Sequence, residues 1–101
     1  MKRTKNMIYK PTTESRELFL FATNDGDIYR RMTTPTLNSL KKKDKKNLYD
    51  SNKAADAYYY IATAASEKYY KDYGYRFSVT DRFTAAVEME EYYRDEVFYT
   101  N

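Results

Sequence analysis

Three carboxylates near the end of the chain have the spacing of metal ligands or acid–base groups. Glu88, Glu91 and Asp95 follow one another at steps of three and four residues, which places them on one side of a helix. The chain has no histidine and no cysteine, so it lacks the commonest metal ligand and the side chain best suited to proton transfer near neutral pH. We therefore expect a solvated helix face here, with no metal, no cofactor and no enzymatic activity.

A lysine-rich run, KKKDKK at 41–46, is the candidate for binding nucleic acid. Lysines neutralise phosphates, and exposed aromatic side chains could stack on bases. The run is short, however, and is interrupted by Asp44, so a solvated helix end that complements the helix dipole is the favoured interpretation. The alternative remains a small nucleic-acid-binding protein that uses Lys41, Lys42, Lys43, Lys45 and Lys46.

Tyrosine is the third group, with 13 residues in the chain and seven of them between 53 and 77. A chain of 101 residues has a thin core, and tyrosine buries a large area, so part of this excess has a structural explanation. On a helix, Tyr59 and Tyr60 point about 100° and 200° away from Tyr58, so the three cannot face one core.

The remaining tyrosines fit two compatible interpretations. The helix is central and touched by neighbouring helices on two sides, or some of its tyrosines form a binding surface, because tyrosine is enriched at the energetic centres of interfaces. The sequence predicts these residues as partner contacts, the two arginines serving as steering charges: Tyr59, Tyr60, Tyr70, Tyr73, Arg30 and Arg31.

Charge is divided unevenly along the chain, whose net charge is +3. Residues 1–50 carry 12 Lys/Arg and 6 Asp/Glu, a balance of +6, and residues 51–101 carry 6 and 9, a balance of −3. Such a chain can pair with itself or present two different surfaces to partners. Monomer and homodimer both remain open.

The apolar periodicity predicts an all-α bundle of three main helices, at about 27–45, 51–73 and 79–97. Asp50 or Ser51 should cap the second helix and Gly74 should end it. A stripe of apolar residues should face the core: Ala54, Tyr58, Ile61, Ala65 and Tyr69.

The first and last of these helices have distinct signals. On the first, the stripe is Ile28, Met32, Thr36 and Leu40, with Pro35 marking a kink or a new start. Ser78 and Asp81 have capping-box spacing ahead of the last helix. Its inner face is predicted as Phe83, Ala86, Met89 or Val87, Tyr93 and Val97. Its outer face is predicted as Glu88, Glu90, Glu91, Asp95 and Glu96.

The N-terminal part is expected to contain little regular structure. Residues 1–16 read as a flexible basic arm, and 17–101 as one helical domain that begins with a short strand or helix at 17–23. The longest nearly uncharged run, 57–66, is too short to cross a bilayer, so we expect no membrane span and a cytoplasmic location.

Two helical segments, YDSNKAADAYYYIATAASEKYYKDYG and FSVTDRFTAAVEMEEYYRDEV, follow a recognisable pattern. Together they resemble small accessory proteins of bacteriophages and other mobile elements, which have a YD-x-x-KA start, a Tyr/Ala-rich helix and a DR-x-x-AA helix. The matching residues are Tyr49, Asp50, Lys53, Ala54, Asp81, Arg82, Ala85 and Ala86. The resemblance covers about half the chain, and no activity is assigned to the group.

What the resemblance implies is an accessory gene of a phage or plasmid. Small proteins of that kind without catalytic residues often block a host machine by binding it, as anti-CRISPR proteins do. The leading hypothesis is therefore a non-enzymatic inhibitor of a host protein assembly in the host cytoplasm.

Overall fold

Four helices form the part of the chain that the computed structural model describes, residues 10–99, and this range contains no strand. We call them α1 (Thr13–Asn24), α2 (a continuous helical segment, 26–45), α3 (Ser51–Tyr73) and α4 (Val79–Tyr99). The prediction of an all-α bundle is confirmed. The count of three main helices is one too low, because the segment at 17–23 belongs to a helix of its own.

Helix α1 begins earlier than the sequence suggested. The backbone N–H of Ser15 donates to Thr12 Oγ1 at 3.0 Å, and the N–H of Thr12 donates to Ser15 Oγ at 2.8 Å. These reciprocal bonds form a capping box with serine in place of the usual glutamate. Residues 13–16 of the predicted arm are therefore helical, and its residues 1–9 lie outside the described range.

Helix α2 contains a π-helical turn, which changes the face it buries. The turn, Tyr29–Thr33, follows Gly26–Ile28 and precedes Thr34–Lys45, and the N–H of Thr34 donates to the carbonyl of Tyr29, five residues back. Pro35 lacks an N–H, so an irregular turn before it costs less than it would elsewhere. We therefore attribute the extra residue in the turn to Pro35.

The π turn overturns the predicted stripe of α2. From the last residue of the turn onward the inward face moves one residue along the chain. Thr33 and Leu37 are therefore buried, whereas Met32 and Thr36, which were expected to face the core, are half-buried. Ile28 and Leu40 are buried as predicted.

Helix α3 has both predicted ends. The side chain of Asp50 accepts hydrogen bonds from the N–H groups of Asn52 and Lys53, at 2.8 and 3.2 Å. Gly74 ends the helix in the left-handed conformation, with φ 74°, and its N–H donates to the carbonyl of Tyr70 at 2.8 Å. Ahead of α4, the N–H of Asp81 donates to Ser78 Oγ at 3.0 Å, which is one half of the predicted capping box.

The core lies where α1, α2 and α3 meet α4. The closest packing is between α3 and α4, which approach through buried alanines on both helices. Tyr58 of α3 stacks on Tyr93 of α4, with ring centroids 5.6 Å apart. The buried apolar side chains contributed by these two helices are Ala54, Ala55, Tyr58, Ile61, Ala62, Ala65, Ala85, Ala86, Val87, Met89, Tyr93 and Val97. Among residues 10–99, no helix is both long enough and apolar enough to cross a membrane.

Candidate functional site

Aromatic side chains gather at the turn between α3 and α4. We call this group the aromatic corner and define it as Tyr69, Tyr70, Tyr73, Tyr75, Arg76 and Phe77. Gly74 positions it, because the left-handed residue turns the chain sharply and brings residues 75–77 back against the end of α3.

Ring contacts hold the aromatic corner together. Phe77 is buried, with 3% of its surface exposed, and anchors two tyrosines edge to face: Tyr69 and Tyr75, each with its centroid 4.9 Å away. Tyr73 leans against Tyr69 at 4.6 Å. The rings are therefore preorganised, which reduces the entropy lost when a partner binds.

The outer members of the corner are open to solvent. Tyr73 is 66% exposed, Tyr75 46% and Tyr70 37%. The guanidinium of Arg76 lies over the Tyr70 ring, 3.7 Å from its centroid, and its Nη1 is 3.9 Å from Glu67 Oε2. Tyrosine and arginine together, partly exposed on a rigid base, have the composition of an interface hot spot.

A groove between α1 and α3 adjoins the corner and shares two of its tyrosines. We call it the α1–α3 groove; its principal lining residues are Glu17, Leu20, Phe21, Asp25, Tyr69 and Tyr73. Phe21 meets Tyr69 edge to face at 5.2 Å, and the Tyr69 hydroxyl donates to Glu17 Oε2 at 3.3 Å. Leu20 is 46% exposed on its rim.

Asp25 lies at one end of this groove and joins three helices. It caps α2 by accepting from the N–H of Ile28 at 2.9 Å, and it accepts from Lys68 Nζ of α3 at 2.7 Å. The hydrogen bond from Lys68, followed by that from Ile28, holds the pKa of Asp25 below its usual range.

The predicted contact residues fall in three places. Tyr70 and Tyr73 belong to the aromatic corner. Tyr59 and Tyr60 lie ten or more residues earlier on α3, roughly 15 Å along the helix axis. Tyr60 is 71% exposed, whereas Tyr59 is half-buried and packs on Phe83 with centroids 6.3 Å apart.

The predicted arginines lie on the π turn of α2, and both are exposed. Arg31 forms an ion pair with Asp27 at 3.6 Å and lines a second groove, between α2 and α3, together with Lys68 and Lys71. The structure thus places Arg31 beside α3 but on a different groove from the aromatic corner.

The five lysines of the 41–46 run are at the carboxyl end of α2. Lys42, Lys43, Lys45 and Lys46 are exposed and Lys41 is half-buried. Within residues 10–99, none of them forms an ion pair. Their charges remain open to solvent or to an anionic partner.

The carboxylates of α4 do not form one solvated face, and the prediction for Glu90 was wrong. Glu90 is completely buried. It accepts from the Tyr49 hydroxyl at 2.6 Å and from Arg94, with Nε at 2.9 Å and Nη2 at 2.5 Å. Burial, followed by the bond to Glu90, raises the pKa of Tyr49. These partners satisfy a carboxylate that would otherwise be too costly to bury.

Glu88, Glu91 and Asp95 have separate environments. Glu88 is largely buried and pairs with Arg16 of α1, while Glu91 and Asp95 are exposed. Burial raises the pKa of Glu88, and Arg16 opposes that rise. Within the described range, no three His, Cys, Asp or Glu side chains are grouped so that they could hold a metal ion.

Sequence reasoning missed Leu20, Tyr75 and Tyr92 as surface residues. Tyr92 is 61% exposed and, with Tyr29 and Glu96, lines a third groove on α4. A signal for Tyr92 was present in the sequence, because a tyrosine outside the core stripe of its helix must face solvent or another surface. That rule was used to predict exposed tyrosines on α3 alone.

The chain matches no protein-family model, no curated protein sequence and no solved structure.

Proposed function

We propose that the protein is a non-enzymatic accessory protein of a phage or mobile element that binds and inhibits a host protein assembly in the host cytoplasm. Its most specific form is an anti-defence inhibitor similar to anti-CRISPR proteins, and its docking surface is the aromatic corner.

The observation that carries this proposal is the exposure of Tyr70, Tyr73 and Tyr75 on a rigid aromatic base. Three large side chains at 37%, 66% and 46% exposure lie on one turn of a 12.1 kDa protein. Interface hot spots are rich in tyrosine and arginine, and truncating one typically costs about 2 kcal/mol or more of binding. Tyr59 and Tyr60 extend the proposed surface along α3.

The test is capture of a host protein by three immobilised versions of the protein from nuclease-treated host lysate. The wild type and a control double variant, Tyr92→Ser/Tyr99→Ser, should retain a stoichiometric protein partner. Tyr73→Ser/Tyr75→Ser should lose it while keeping the helical circular dichroism spectrum. Equal capture of the partner by the Tyr73→Ser/Tyr75→Ser variant would contradict the proposal. A parallel capture from untreated lysate that recovers nucleic acid and no protein would also contradict it.

Nucleic-acid binding through the lysine run is the second candidate, and the exposure of four of its five lysines favours it. It requires affinity that falls steeply with salt, because neutralised phosphates release counterions. A Lys41→Glu/Lys42→Glu/Lys43→Glu variant that binds DNA or RNA as well as the wild type would exclude it.

A further inference from the structure

The α1–α3 groove combines aromatic rings with a carboxylate, Glu17, that forms no ion pair with any cation of residues 10–99. The charge of Asp25 is balanced by Lys68 at 2.7 Å. Glu17 instead accepts from the neutral hydroxyl of Tyr69, and no cation of the described range forms an ion pair with it. A carboxylate beside aromatic rings attracts a cation through both its charge and the ring quadrupoles.

Another face of α3 shows the same elements with the cation present. There the Arg76 guanidinium lies 3.7 Å from the centre of the Tyr70 ring and 3.9 Å from Glu67 Oε2. Tyr70 and Glu67 thus form an aromatic–carboxylate pair occupied by the chain's own arginine. In the groove, Tyr73, Tyr69 and Glu17 form a similar set, to which no cation of the described residues is paired.

We infer that the α1–α3 groove receives an arginine side chain of the protein partner, stacked on the Tyr69 and Tyr73 rings and paired with Glu17. This deepens the proposed function and rests on it. Arginine is preferred to lysine because its planar guanidinium can stack on a ring and donate to a carboxylate in the same pose. Leu20 and Phe21 supply apolar surface for its methylene stem.

The experiment is an NMR titration of the full chain with blocked tripeptides. Acetyl-Gly-Arg-Gly-amide should shift the backbone amides of Leu20, Phe21, Tyr69 and Tyr73, with a dissociation constant on the order of millimolar. The citrulline peptide, which keeps the shape and loses the charge, and the lysine peptide, which keeps the charge and loses the plane, should both bind about threefold or more weakly.

A matched pair of variants locates the site. Glu17→Gln should weaken arginine-peptide binding by about threefold or more. Glu67→Gln, which changes an α3 carboxylate that does not line the groove, should leave it unchanged. Equal binding of the citrulline or lysine peptide, or no effect of Glu17→Gln, would overturn the inference.

Dilution of the protein without peptide tests the other occupant, a second copy of the chain. The chemical shifts of the groove amides should stay constant on dilution. If these amides alone shift with protein concentration, the groove is a homodimer contact and the inference is overturned. The titration uses no natural partner, so its failure would leave the capture result standing, and loss of capture would not alter the titration.

Discussion

The hydroxyl of Tyr49 donates a 2.6 Å hydrogen bond to the carboxylate of Glu90, a residue with no exposed surface. Tyr49 lies in the connection between α2 and α3, so this bond fixes that connection to α4. Arg94 completes the arrangement from one turn further along α4. Removal of either partner leaves a buried charge short of a hydrogen bond.

The first prediction concerns Arg94. Arg94→Met should destabilise the protein by about 3 kcal/mol, because it removes the ion pair and the two hydrogen bonds that Arg94 gives to the buried Glu90 carboxylate. Arg31→Met breaks an ion pair of the same spacing with Asp27, but both of those side chains are largely exposed, and the expected loss is about 0.5 kcal/mol or less. Urea denaturation measures both; equal losses would show that Glu90 is not dependent on Arg94.

The second prediction is a pH dependence at Asp25. Its pKa is lower in the folded protein than in the unfolded chain, so its ion pair stabilises the fold above the unfolded value, about 3.9, and this contribution is lost as the pH falls through the folded value. Asp25→Asn keeps a good N-cap for α2 and removes the charge.

The wild type should therefore be more stable than Asp25→Asn at about pH 5, and the difference should shrink toward pH 2. Thermal unfolding at several pH values measures it. Lys68→Met should reduce this pH-dependent part and leave the share that comes from the Ile28 N–H. A difference that stays constant with pH would contradict the assignment.

The third prediction separates two adjacent tyrosines. Tyr59→Ser should cost about 2 kcal/mol, because Tyr59 packs on Phe83 between α3 and α4. Tyr60→Ser should change stability by less than about 0.5 kcal/mol, since 71% of Tyr60 is exposed. Chemical denaturation tests both. If the Tyr59 variant is as stable as the wild type, Tyr59 belongs to the binding surface alone.

The fourth prediction concerns Gly74. At φ 74° an alanine would be strained, although its Cβ would meet nothing within 4 Å. Gly74→Ala should therefore cost about 1 kcal/mol through the backbone alone. Gly74→Asn should cost less, because asparagine tolerates this conformation. A neutral Gly74→Ala in thermal unfolding would mean that the turn can relax.

Local signals were enough to predict where α3 ends, and they narrowed its N-cap to Asp50 or Ser51. Asp50 as a cap and Gly74 as a left-handed terminus depend on hydrogen bonds within a few residues, so the sequence contains the whole cause. The stripe of α2 failed because a π turn adds a residue that a regular periodicity does not include. Pro35 indicated an irregularity in the helix, but it did not show that the irregularity would be a π turn.

The candidate site was only partly predictable. Tyr70 and Tyr73 were identified because they fall outside the α3 core stripe. The α1–α3 groove was not, because it depends on how α1 crosses α3, which brings Glu17 to Tyr69, a residue 52 positions later in the sequence. Burial of Glu90 was missed for the same reason, since its partner Tyr49 lies 41 residues earlier.

The packed rings of the aromatic corner also allow partner binding to be followed by the intrinsic fluorescence of the protein. The chain has 13 tyrosines and no tryptophan, so its ultraviolet emission comes from tyrosine alone. Tyr69 and Tyr73, 4.6 Å apart, are close enough to pass excitation between them. A tryptophan brought to the corner by a bound protein would accept that energy, so tyrosine emission would fall and tryptophan emission would rise without any added label.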